Sequence, residues 1–264
     1  MFQNRAFYPL SIIDIHTHPV FFGEGSKPAE TRHQIKDAKR LGFIHMISLG
    51  DVLKFGRTPD RKQTRIINDE TAEVMKRGKG FFIGFCALNP LLGEKAVMEE
   101  ADRCIGGMGF KGIKLELSCN AQDPAMAGIM RAARRHGVPV LQHSWSQLYK
   151  RTRSFHSDPE DTCALARRWP DVRIIMAHLT GCGHRGIRAA RGLDNLVVDT
   201  SGAGPEAGLV EYAVEQLGEH RVLYGSDLPI RDLPTAVGRI TGSPISDRAK
   251  QRLLHDNAAE LLGL

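Results

Sequence analysis

The 264-residue chain lacks the features that mark several other protein classes. Its five cysteines (Cys86, Cys104, Cys119, Cys163 and Cys182) form no Cys-x-x-Cys pair and are odd in number. Isolated thiols on apolar stretches read as small buried hydrophobes of a reducing compartment rather than as a disulfide framework. No apolar run approaches the roughly 18 residues of a membrane span, and no basic stretch followed by an apolar one marks a secretory signal at the N-terminus. A soluble, cytoplasmic protein without a membrane partner is therefore expected. Polybasic arms, recognition-helix patterns and aromatic-rich basic stripes are missing too, so nucleic acid is not an expected partner. The formal net charge of +6 then points to a small anionic molecule. No glycine-rich phosphate fingerprint follows the first strand pattern, which weighs against a dinucleotide-binding sheet.

With 42% apolar and 25% charged residues, the chain has ample material for a sizeable core. Short, near-continuous apolar runs recur at residues 12–15, 43–49, 81–88, 110–117, 138–143, 172–177, 196–199 and 222–224. Such runs suit parallel strands covered on their outer face by helices. Helical patterns fill the gaps at about 29–40, 65–77, 94–105, 124–136, 159–169, 184–191 and 205–217. Asp123-Pro124 and Asp158-Pro159 supply a cap followed by proline at the first helical position, and Gly137 follows three basic residues as a stop. Strand ends recur about every 30 residues between His16 and Asp227, the length of one βα unit. The expected fold is an α/β protein: a (β/α)8 TIM barrel forming one domain over residues 1–264, with a closing C-terminal helix at 246–264. The longest irregular stretch, 50–63, carries Lys54, Arg57, Arg61 and Lys62, which could cover the active face or simply be solvated charge.

Chemistry concentrates at the strand ends, which share one mouth in such a barrel. The first strand ends in His16-Thr17-His18, two imidazoles at period two that make half of a metal site. The fourth carries Lys114 and Glu116, again at period two, and the fifth ends in His143. His178 ends the sixth strand and Asp227 the eighth. Four histidines and an aspartate converging on one face match the ligand sets of catalytic divalent-metal sites, zinc first among them.

These residues give the chain a family resemblance. The stretches Asp14-Ile15-His16-Thr17-His18-Pro19, 109–115, Gln142-His143, Met176-Ala177-His178-Leu179, Tyr224-Gly225-Ser226-Asp227-Leu228-Pro229 and 257–264 resemble, in order, the amidohydrolase superfamily. More narrowly, the chain resembles the compact group that includes aminocarboxymuconate semialdehyde decarboxylase. The resemblance implies His16, His18 and His143 as metal ligands and Asp227 as ligand and general base. It makes His178 either a ligand to a second ion or the residue that polarises the substrate. Strand four stays open: Lys114 could be carboxylated or bind a substrate carboxylate, and Glu116 could be a further ligand, so one or two ions could bind. Trp145 and Gln147 could wall the substrate pocket, and Arg185 or Arg231 could fork a carboxylate. The implied activity is hydrolysis of an amide, ester or lactone bond by metal-activated water, with non-oxidative decarboxylation of a small carboxylic acid as the alternative. A homodimer is compatible with barrels of this kind.

Overall fold

The computed structural model describes residues 11–19, 27–146, 154–202 and 206–264. Eight parallel strands lie side by side in chain order: β1 (Ile12–Thr17), β2 (Phe43–Ser48), β3 (Phe82–Ala87), β4 (Gly112–Leu115), β5 (Val140–Gln142), β6 (Ile174–Met176), β7 (Leu196–Asp199) and β8 (Val222–Leu223). The last strand returns to the first: Ile15 N donates to Tyr224 O at 3.0 Å, Asp227 N to His16 O at 2.8 Å, and His18 N to Leu228 O at 2.7 Å. The sheet is thus rolled into the expected (β/α)8 barrel, with helices between the strands, among them α1 (Pro28–Arg40), α3 (Glu94–Ala101), α5 (Pro159–Arg168) and α7 (Leu209–Leu217).

The alternating pleat divides the core in two. Ile13, Ile15, Ile47, Phe85, Leu141, Ile175, Val197 and Leu223 fill the barrel interior. A larger cluster, including Phe43, Phe110, Ile113, Met130 and Val198, seals the strands against the helices. Burial on both faces explains why the strands read as continuous apolar runs.

Helices start where local chemistry dictates. α2 (Arg61–Gly78) begins earlier than its apolar pattern because Asp60 and Gln63 form a reciprocal capping box, with Gln63 N donating to Asp60 Oδ1 at 2.8 Å and Asp60 N to Gln63 Oε1 at 2.9 Å. The irregular stretch after β2 shortens accordingly. α4 (Met126–His136) stops at Gly137 in the left-handed conformation, φ 64°. α6 (Leu179–Ala189) starts directly after His178 and breaks at Gly183. α8 (Leu233–Thr241), capped by Asp232, is a helix that the sequence pattern did not suggest. The closing segment is not one helix but α9 (Asp247–Gln251), a π-helical turn (Arg252–Asp256) and α10 (Asn257–Leu262). Ala258 and Leu262 of α10 pack into the interior cluster and plug the end of the barrel opposite the mouth. Among the described residues, no helix is long and apolar enough to cross a membrane.

Candidate metal centre

His16 owes its position to an irregularity. Between the pairs Asp14↔Met46 and Thr17↔Ser48, β1 carries one residue more than β2. Such a bulge breaks the two-residue alternation and re-aims a side chain. The His16 and His18 rings end 5.4 Å apart. On the far side, β8 delivers Asp227 through Gly225, where a Cβ would stand 3.0 Å from that of His16. The glycine lets the two strand ends close up. Both Asp227 (φ 65°) and His178 (φ 67°) have left-handed backbones, a conformation that costs a non-glycine residue about 1 kcal/mol or more and that clusters at functional sites.

The donor atoms of His16, His18 and Asp227 all lie within 4.8 Å of one another. Asp227 Oδ1 is 3.6 Å from His16 Nε2 and 4.0 Å from His18 Nε2. The other nitrogen of each ring is already engaged. His16 Nδ1 lies 2.8 Å from Asp199 Oδ2, and His18 Nδ1 donates to the Gly50 carbonyl at 2.8 Å. Both Nε2 atoms thus aim at Asp227, and that of His16 is buried without a hydrogen-bond partner. An imidazole lone pair denied both water and a donor is costly, and a divalent cation would satisfy it. Ring nitrogens held from behind by a carboxylate or a carbonyl are also the usual support of metal-ligating histidines. Burial, reinforced by the neighbouring His16 and Lys114, pushes His18 down to about 3, so it presents a neutral imidazole across the ordinary pH range.

The other expected residues form a second group beside the first. His143 Nδ1 lies 2.9 Å from Glu116 Oε1 and 3.2 Å from His178 Nε2. Lys114 Nζ sits 3.1 Å from Glu116 Oε2, without the alignment of a hydrogen bond. Glu116 is therefore held between Lys114 and His143, and neither it nor His143 belongs to the His16–His18–Asp227 set. Burial alone would raise the Glu116 carboxyl, but His143 and Lys114 hold it well below the usual range. Burial and the neighbouring His143 and His16 keep His178 well below the ordinary imidazole range. Trp145 packs edge-on against His178, ring centroids 5.6 Å apart, in space that a Cβ at Gly181 would occupy. Arg231 Nε donates to Gly202 O at 3.3 Å. Arg185 is committed elsewhere, with Nε and Nη2 on Glu160 at 2.6 and 2.5 Å and Nη2 3.1 Å from Asp158. Gln147 lies outside the described residues.

Three residues absent from the expected set complete the picture. Asp199, the last residue of β7, accepts from His16 and from the backbone N–H groups of His178 and Ser201, both at 3.0 Å. Burial would raise its carboxyl, but His16 keeps it below the ordinary range. Ser201 links Asp199 to His178. Asp14 ties the strand ends together, its Oδ1 accepting from His16 N at 3.1 Å and Ser226 N at 3.0 Å.

Burial, partly offset by the Ser226 hydrogen bonds, raises Asp14 to about 7 from 3.8. In the metal-free protein the folded state therefore holds a proton that the unfolded chain has released, and this group's contribution to stability falls as pH rises from about 4 to about 7. At about 1.4 kcal/mol per unit, that contribution is on the order of 4 kcal/mol. Urea unfolding across this window is expected to show Asp14→Asn gaining stability relative to the wild type as pH rises. Parallel curves would show that Asp14 does not hold that proton.

The family model described as amidohydrolase matches residues 13–264. Three solved structures superpose on nearly all of the chain. A 2,6-dihydroxybenzoate decarboxylase from Rhizobium has 20% identity and a TM-score of 0.76, covering 96% of this chain and 99% of its own. A dihydroxybenzoic acid decarboxylase from Polaromonas, with bound manganese and the inhibitor 2-nitroresorcinol, has 15% identity and a TM-score of 0.72, covering 97% of each chain. A 5-carboxyvanillate decarboxylase from Sphingomonas paucimobilis has 16% identity and a TM-score of 0.70, covering 88% of this chain and 82% of its own. At these identities the superpositions establish the fold.

Proposed function

We propose, from the premise that the chain belongs to the amidohydrolase family and is an enzyme, that it is a metal-dependent decarboxylase of a small aromatic acid carrying a hydroxyl beside the carboxylate. The observation that carries the metal assignment is the unpartnered, buried Nε2 of His16 facing His18 and Asp227. We assign one divalent ion to these three residues, zinc or manganese, since imidazole suits zinc and the Polaromonas enzyme carries manganese. What favours decarboxylation over hydrolysis is that the three superposed enzymes named above all remove carbon dioxide from aromatic acids. The hydrolytic alternative rests on the family description and on a carboxylate beside two imidazoles, an arrangement that could equally activate water.

A bound divalent cation would polarise the oxygens of the substrate and steady the charge that develops on them. The remaining work falls to the protein. As the bond between ring carbon and carboxylate breaks, its electron pair stays on the ring, carbon dioxide leaves, and the ring carbon takes up one proton. Asp227 is the proposed carrier of that proton, its Oδ2 3.8 Å from His178 Nδ1. Lys114 and Glu116 brace His143, and Trp145 walls the pocket beside His178.

Arg57 is the proposed anchor for the substrate's charge. Its guanidinium lies on the Phe155 ring, 3.6 Å from the centroid, and its carbonyl accepts from Ser118 Oγ at 2.7 Å. It has no carboxylate partner among the described residues. A guanidinium held flat with its donors free suits a carboxylate bidentately. Arg57→Met is expected to raise KM about tenfold or more while changing kcat much less, as loss of a hydrogen bond to a charged group would. Unchanged KM would remove Arg57 from the binding site.

The reaction is tested with 2,6-dihydroxybenzoate and related hydroxybenzoates, offered with Mn2+ or Zn2+ in deuterated water. Carbon dioxide release and one deuteron on the product ring are expected. Turnover of amides, esters or lactones without carbon dioxide would replace this reading by hydrolysis.

A further inference from the structure

The histidines at the barrel mouth face groups that leave each ring one neutral form. Carboxylate and carbonyl oxygens only accept. His16 Nδ1 meets Asp199 Oδ2 at 2.8 Å, His18 Nδ1 meets Gly50 O at 2.8 Å, and His143 Nδ1 meets Glu116 Oε1 at 2.9 Å. All three rings therefore carry their proton on Nδ1. His178 differs, because its Nδ1 meets a hydroxyl, Ser201 Oγ, at 2.9 Å, and a hydroxyl can give or take. The ambiguity is resolved one contact further on. Ser201 Oγ also bonds Asp199 Oδ1, an oxygen that already accepts from two backbone N–H groups. The single hydroxyl proton is spent there, so Oγ can only accept from His178, and His178 too is protonated on Nδ1.

We propose that Asp199 and Ser201, at the C-terminal end of β7, are positioning residues that set the tautomers of His16 and His178. Asp199 holds His16 directly, and Ser201 relays the same carboxylate to His178. One carboxylate thus orients a proposed metal ligand, His16, and the neighbouring His178 together. The consequence is chemical: neutral His178 presents an unprotonated Nε2, an acceptor facing His143 Nδ1–H at 3.2 Å. It can take a proton or coordinate a cation, and it cannot donate from Nε2 to a developing oxyanion. This assignment concerns hydrogen bonds, so it stands or falls apart from the choice between decarboxylation and hydrolysis.

Two-bond 1H–15N correlation spectra of the full chain, labelled with 15N-histidine and stripped of metal by a chelator, read each tautomer without any substrate. A His178→Gln sample identifies the His178 signals. The wild type is expected to show His178 protonated on Nδ1. Ser201→Ala removes the acceptor of His178 Nδ1–H and should shift the Nδ1 signal, and Ser201→Thr, which keeps the hydroxyl, should restore the wild-type pattern. Competition for Zn2+ should show affinity lowered about 10–100-fold in Asp199→Asn, as for other supports behind a metal-ligating histidine, but only a few-fold in Ser201→Ala. The proposal is overturned by a wild-type His178 in the Nε2–H form, or by a His178 spectrum that Ser201→Ala leaves unchanged. If Asp199→Asn does not fold, the Ser201 spectra decide alone.

Discussion

Asp227→Asn is expected to lower the decarboxylation rate at saturating metal by about 10²–10⁴-fold, the range that general acid–base groups supply. The fold should survive. Asp227 sits at φ 65°, in the left-handed region, and asparagine is among the few residues that tolerate it. The turn that follows depends on the Asp227 backbone carbonyl, which accepts from Ile230 N at 2.8 Å and Arg231 N at 3.2 Å, and the substitution leaves both in place. Near-wild-type thermal unfolding together with lost turnover would assign the effect to the carboxylate. Near-normal turnover would remove Asp227 as the proton carrier.

The second large effect concerns the ion. Stripping the protein with a chelator should abolish turnover, and adding back Mn2+ or Zn2+ should restore it. Because the ion binds the folded chain at a site that the unfolded chain lacks, re-addition at about 100 times Kd should also stabilise the protein by about 2.7 kcal/mol. His18→Ala should remove both the restoration and the stabilisation. It is the cleaner variant, since removing His16 would take the partner from the buried Oδ2 of Asp199, whereas removing His18 takes one from the Gly50 carbonyl. A chelated protein that keeps full turnover would end the metal assignment.

The barrel was legible because its strands are buried on both faces and so read as uninterrupted apolar runs ending in polar residues. His16, His18, His143, His178 and Asp227 stand out for that reason: each closes a run where hydrophobicity stops. Asp199 closes the run at 196–199 and meets the same criterion, but a lone aspartate at a strand end gives no sign that a histidine 183 residues away lies against it. Ser201 and Asp14 are less visible still, since their roles are hydrogen bonds made only once β7, β8 and β1 meet. The bulge that turns His16 is likewise a property of pairing with β2, not of β1 alone. α8 is hidden in the sequence because Pro234 and Gly238 interrupt a short pattern, and the closing segment reads as one helix because a π-helical turn preserves an apolar face while shifting its phase. Arg57 stood among several cations in an irregular stretch. Folding distinguishes them: Lys54 pairs with Glu70 and Arg61 with Glu99, while Arg57 rests on Phe155 beside the mouth.

The most direct test of the metal centre is anomalous diffraction from a crystal of the full chain soaked in Mn2+. One strong peak within coordination distance of His16 Nε2, His18 Nε2 and an Asp227 carboxylate oxygen is the expected result. No peak there, or a peak held by Glu116 and His143 instead, would contradict it.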